Sequence, residues 1–370
     1  MHSNPFRYTA PVPPEDLVDR DDEANRLVRL AVEGNNSRLV APRRYGKTSL
    51  LRRVESEMPQ GWQVVLVDFF GVLTIDDVAR RIERAYAEQL TGRLSTWFTS
   101  LLATLRPTFR AGGGPVPASV EVTPSKPGGL SLLDCLTIPR RLHERHGRRV
   151  LIIFDEFQDV LAAEARIDAT IRSEIQHHAD VASYIFAGSQ VGMMEKLFGD
   201  RRRAFYGQAT PVDLGPLDHA ALGEHIAERF AQTNRDTGVA LGPLLDLVKG
   251  HPQRAMLVAH ALWDATQVGQ VATEEAWTGA RQRSLDEVRD ELRAVWTGLP
   301  TGQRRVLATL ASPTNTPLYA SRRQGGGSRG GAVSAAVRAL MDRGEVSAGD
   351  GGYEIVDPLL AAWVGEGTPT

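Results

Sequence analysis

The sequence predicts an α/β protein: a parallel sheet with helices on both faces, then a helical lid, then a C-terminal winged helix-turn-helix. Three observations predict it. A short apolar strand, Leu39-Val40, runs into Gly46-Lys47-Thr48 and an apolar-periodic helix over Ser49–Val54. A second stretch, Val150–Phe154, is apolar throughout, as a strand buried on both faces must be, and ends in Asp155-Glu156. Beyond Pro216 the apolar spacing is helical.

Composition sets the outer limits. At 370 residues, 42% hydrophobic and 24% charged, the chain is long enough for two or three domains. A net charge of −2 excludes a general polyanion binder, so nucleic-acid contact would need a local patch. The single Cys135 excludes an intramolecular disulfide and a cysteine metal site; it reads as a small buried apolar residue. The N-terminus is polar and Pro-rich, with no apolar h-region. The longest apolar run, Val64–Leu73, is interrupted by Asp68 and is too short to span a bilayer. No membrane association is expected, and the cytoplasm is the expected location.

Residues 1–16 read as an extended N-terminal segment, because four prolines deny it regular hydrogen bonding. A helix follows Asp19-Arg20-Asp21-Asp22-Glu23. Asp19 is placed as its N-cap, and Gly34-Asn35-Asn36 ends it. Arg38–Thr48 then has the form of a phosphate-binding loop. Successive backbone N–H groups of Ala41, Pro42 onward through Ser49 (Pro42 lacking one) would curl around a β-phosphate at a helix N-terminus. Lys47 would reach the β/γ-phosphates, and the Thr48 hydroxyl would ligate Mg2+. The usual pattern begins with Gly where this chain has Ala41. Arg43, Arg44 and Tyr45 lie inside the loop without a defined job, pointing to solvent or to a neighbouring subunit.

Trp62–Phe70 reads as a buried strand and Thr74–Leu90 as a helix, with Leu94–Leu105 as its continuation. Residues 106–129 are rich in Pro and Gly and read as a flexible insertion, since the sheet pattern resumes after them. Leu130–His146 is a helix leading into the acidic strand. Two adjacent acids about 100 residues after the loop complete a P-loop NTPase pattern. Asp155 would hold the Mg2+ shell, and Glu156 would orient or deprotonate a water. Asp180–Ala187 is the next strand. Its end, Ser189-Gln190, either senses a γ-phosphate or simply turns. Arg201, Arg202 and Arg203 follow, as an arginine finger toward a neighbouring subunit or as a solvated basic loop.

Pro211–Pro216 reads as a boundary that closes a core over 17–215. Helices at Asp218–Gln232, Pro243–Lys249, Pro252–Thr266 and Thr273–Leu299 make a lid over 216–299. Residues 300–370 form the winged unit: helices Gln303–Ala311 and Ala332–Gly344, then a two-stranded wing at Glu345–Ser347 and Gly352–Ile355. Arg322, Arg323, Arg329 and Arg338 sit around its second helix, offset by Asp342, Glu345, Asp350, Glu354 and Asp357.

Taken together, D-R-D-D-E (Asp19–Glu23), P-R-R-Y-G-K-T-S-L-L (Pro42–Leu51), I-I-F-D-E-F-Q (Ile152–Gln158), A-G-S-Q (Ala187–Gln190), G-H-P (Gly250–Pro252) and Y-E-I-V-D-P-L-L-A-A-W (Tyr353–Trp363) resemble an ATPase of the AAA+/STAND group, of the archaeal ATPase type also found in bacteria. The resemblance implies that the Asp19–Glu23 turn, with Arg20, lies against adenine and that Pro252 contacts the nucleotide. It also implies a switch in which ATP closes lid and wing onto the core and slow hydrolysis reopens them. The family pattern has Gly-Arg where this chain has Asp19-Arg20. No N-K-x-D guanine reader is present, so ATP with Mg2+ is expected by elimination. A homo-oligomer and a protein client are the expected partners. An ATP-regulated DNA-binding regulator or loader using the winged helix is the alternative.

Overall fold

A computed structural model of the chain describes residues 3–105, 129–312, 329–349 and 352–367. The insertion expected over 106–129 falls almost entirely outside the described residues, as do Arg322, Arg323 and Asp350.

The organising unit is a five-stranded, all-parallel sheet. Its strands are β1 (Ser37–Val40), β2 (Trp62–Asp68), β3 (Arg149–Asp155), β4 (Ala182–Gly188) and β5 (Thr210–Asp213), in spatial order β2-β3-β4-β1-β5. Strand β1 is therefore interior, flanked by β4 and β5. Registers align Val40 with Gly188 and Asp68 with Asp155, so the C-terminal ends of β1, β2, β3 and β4 form one edge. The two-residue side-chain period sorts β3 between two cores. Leu151 and Ile153 pack with α1 (Asp21–Val32) and α2 (Lys47–Glu57). Val150, Ile152 and Phe154 face the larger core. That core holds α3 (Ile75–Gln89), α4 (Gly92–Leu105), α5 (Leu132–His146), α6 (Val160–Ala163), α7 (Ile167–Ile175) and α8 (Val191–Gly199). Thr74 and Asp77 close a reciprocal capping box on α3. Cys135 is buried there, its Sγ 3.4 Å from the Ala79 carbonyl.

Past the sheet come α9 (His219–Gln232), α10 (Leu241–Val248), α11 (Pro252–Ala265) and α12 (Glu274–Thr297). The winged unit follows as α13 (Thr301–Ala311), α14 (Arg329–Arg343), the antiparallel hairpin β6 (Val346–Gly349) and β7 (Gly352–Ile355), and α15 (Pro358–Gly365). Lid and wing share a single apolar core running from Leu222 and Leu244 through Leu307 and Leu340 to Leu360. They pack as one body. Among the described residues no helix is long and apolar enough to cross a membrane.

Two expectations need correcting. Pro211–Pro216 is not simply a boundary: Thr210–Asp213 is the fifth strand, paired to β1 alone on its inner side. An edge strand tolerates Pro211, because one row of its N–H groups needs no partner. Asp19 does not cap α1. Arg20 occupies that position, and Asp19 has a left-handed backbone (φ 49°) from which Oδ2 accepts the Asp218 N–H at 2.7 Å. The N-terminal segment is extended but anchored. Phe6 is buried in the lid core, its carbonyl lies 2.8 Å from His260 Nδ1, and Asp16 pairs with Arg229. Helix α7 was not foreseen; its nine residues are too few to show a clear period.

Candidate functional site

Strand β1 delivers the loop. Ala41 hydrogen-bonds Gly188 O at 3.3 Å and is fully buried, its methyl group part of the α1/α2 core. That packing explains how alanine stands in place of the usual first glycine. Arg44 (φ 68°) and Gly46 (φ 83°) are both left-handed, a backbone that turns successive N–H groups inward to make an anion nest. Space around Gly46 is open, so the dihedral rather than crowding calls for glycine. Lys47 and Thr48 open α2, where the helix dipole favours an anion.

The acids arrive at the same place. Lys47 Nζ, on a side chain only 8% exposed, lies 2.8 Å from Asp155 Oδ1 and 2.8 Å from Glu156 Oε1. Glu156 is left-handed (φ 49°), and its N–H donates to Asp155 Oδ1 at 2.9 Å. Ser189 Oγ donates to Glu156 Oε2 at 2.7 Å, and Gln158 Nε2 donates to the same oxygen at 2.6 Å. Burial pushes the Glu156 carboxyl up, but the Lys47 ammonium and the hydrogen bonds from Lys47, Gln158 and Ser189 outweigh it. The group sits below the usual carboxylate range. One ammonium against two carboxylates leaves negative charge at the mouth of the loop. A hard divalent cation suits the oxygens offered there by Thr48 and Asp155. Among the described residues no group of three or more His, Cys, Asp or Glu could hold a metal, so such a cation would need phosphate oxygens as further ligands.

The structure brings together Ala41, Gly46, Lys47, Thr48, Asp155, Glu156 and Ser189. Ser49 lies beside them, buried, with its Oγ accepting the Val12 N–H at 3.1 Å. Arg20 is buried and donates to Gly215 O at 2.6 Å and to Glu23. Pro252 opens α11 next to His251, whose ring meets Tyr45. Arg201–Arg203 belong to a separate loop. Arg203 reaches Ala165 O at 2.8 Å, Arg202 pairs with Asp200, and Arg201 is exposed.

Of the loop residues 43–45, Arg43 and Arg44 are exposed as expected, and only Tyr45 departs from a solvent-facing place. Tyr45 is buried. Arg44 pairs with Glu291 of α12. Behind Glu291 lies a charged group that sequence reasoning missed. Arg254, fully buried, donates to Glu291 at 2.9 Å and to Asp357 through both Nε and Nη2. Asp357 also caps α15, accepting from Leu359 N at 2.9 Å. The Asp357-Pro358 pair is a helix-start signature visible in sequence. Nothing local points it at Arg254, 103 positions earlier.

No protein-family model matches the chain, and no curated protein matches it. Solved structures do. A Walker-type ATPase of Pyrococcus abyssi is similar over 97% of this chain and 99% of its own, at 18% identity and TM-score 0.69. The ORC2 protein of Aeropyrum pernix, solved as ADPNP–ADP complexes, is similar over 97% and 95%, at 15% identity and TM-score 0.54. These likenesses establish the fold: a parallel five-stranded sheet with helices on both faces, followed by a helical lid and a winged helix.

Proposed function

We propose that this protein binds ATP with Mg2+ and hydrolyses it slowly to drive a conformational switch. One observation carries the reading: Lys47 Nζ stands 2.8 Å from both Asp155 and Glu156 at the C-terminal edge of a parallel sheet, beside a left-handed loop opening a helix. Ligands of such sheets gather at this edge. Lys47 and the loop amides take the phosphates, Thr48 and Asp155 hold Mg2+, and Glu156, held ionised, directs the attacking water. Ser189 bridges the γ-phosphate position and Glu156. Pro252 and the Asp19–Arg20 turn flank the base. The motif set supports kinship with STAND-type archaeal ATPases. Assembly into a homo-oligomer is proposed through the Arg201–Arg203 loop, with Arg201 the residue least engaged within its own chain. Residues 17–215, 216–299 and 300–370 act as core, lid and wing, the last two moving together.

The test is ATP binding and turnover by the full chain with and without Mg2+, with sizing in the same samples. Binding and Mg2+-dependent phosphate release support the reading. A folded chain that binds no ATP removes it.

A further inference from the structure

In the reading above Gly46, Lys47 and Thr48 take the phosphates, while Arg44 of the same loop is held by the lid. Arg44 pairs with Glu291, their side chains 43% and 39% exposed. Glu291 Oε1 also accepts from Arg254 Nη2 at 2.9 Å, and Arg254 is held from both Nε and Nη2 by Asp357. The lid thus presents a carboxylate to a loop shaped for phosphate. A second contact docks the same body on the sheet unit. Lys196 of α8 pairs with Asp342 of α14 at 2.9 Å, and a Cβ on Gly192 would lie 2.8 Å from Asp342 Cα.

The charged series is graded. Arg254–Asp357 is buried and multiply bonded, and removing one partner would strand a charge. Arg44–Glu291 is exposed and screened, so it exchanges readily. Guanidinium accepts carboxylate or phosphate in the same fork geometry.

We propose that Glu291 forms an internal latch on Arg44 that nucleotide phosphates displace, so that filling the loop frees lid and wing as one body, opposite in direction to the closure that the sequence resemblance implies. The latch rests on the ATP-binding reading above. Latch and nucleotide compete for Arg44, so each weakens the other by the same factor.

The experiment compares wild type, Glu291→Gln and Gly192→Ala as full chains. A fluorescent ATP analogue with Mg2+ reports affinity, and amide hydrogen exchange over α14–β7 reports docking. Glu291→Gln is expected to tighten nucleotide by about five-fold, the worth of a surface ion pair. Its wing amides should exchange without nucleotide at rates that wild type reaches only with it. Gly192→Ala, away from the loop, should wedge the same body off α8 and produce both effects. Unchanged affinity and exchange in both variants, with wild type binding ATP, overturns the latch and leaves the ATP reading intact. Faster exchange without tighter binding also overturns it, because the two must move together. A wild type that binds no ATP overturns both.

Discussion

The ring of Tyr45 meets that of His251 edge to face, centroids 4.9 Å apart and planes at 63°. This contact joins the phosphate loop to the start of α11, where His251 Nδ1 accepts the Arg254 N–H at 3.3 Å. Burial pushes the Tyr45 phenol up to about 12 and the His251 imidazole down to about 4, so both are neutral in the fold. An imidazole depressed in the folded state binds its proton more readily when unfolded. Its stabilising contribution is complete above its unfolded value of about 6.5 and is lost as pH falls toward about 4. His178, lowered to about 4 chiefly by burial, acts in the same direction. Melting temperature is expected to drop across that window, and His251→Gln to flatten part of the drop. An identical slope in the variant would remove His251 from the effect.

Lys47→Ala should weaken ATP binding by about ten- to a hundred-fold, the worth of a charge-assisted phosphate contact. Calorimetric titration with ATP and Mg2+ measures it. Unchanged affinity would exclude Lys47 from the phosphate site.

Glu156→Gln should bind ATP as wild type does and lose about 10²- to 10⁴-fold in turnover, the range of a positioned general base. Ser189→Ala, which removes the 2.7 Å hydrogen bond to Glu156 and keeps the backbone, should lose roughly ten-fold. Steady-state phosphate release orders the two, and an Ser189→Ala loss larger than that of Glu156→Gln would reverse their proposed roles.

Asp357→Ala should destabilise the chain by about 3–5 kcal/mol, because Arg254 is left buried without its main partner. Burial raises the Asp357 carboxyl, but Arg254 outweighs burial and holds it below the usual range. A depressed carboxylate stabilises above its unfolded pKa and ceases to as pH falls through its folded one, so acid should loosen the wing first. Pairing Asp357→Leu with Arg254→Met should cost far less than Asp357→Ala. Urea unfolding of the three variants checks the order.

Gly250→Ala should cost roughly 1–3 kcal/mol. Its φ of 72° is left-handed, and an added Cβ would press on Leu217 O and lie 3.0 Å from Leu217 N. Chemical denaturation measures the loss. A stability equal to wild type would show that the turn before α11 can shift.

Four of the five strands, most of the helices and the Lys47–Asp155–Glu156 centre were legible in the chain because they rest on short-range physics. Apolar runs report strands buried on both faces. Apolar spacing marks helices, and Gly46-Lys47-Thr48 carries its backbone chemistry within three residues. Thr273, Asp218 and Thr74 cap the helices they precede, a contact made within three residues. The couplings were not legible. Asp19 turned from its own helix to Asp218, Tyr45 turned from solvent to His251, and the exposed Arg44 found Glu291. The Asp19–Asp218 and Arg44–Glu291 partners lie 199 and 247 residues apart along the chain. Nothing in the spacing of a loop says which distant carboxylate will be packed beside it. That depends on how the shared lid and wing core seats against the sheet, where burial makes an unpaired charge costly enough to select its partner.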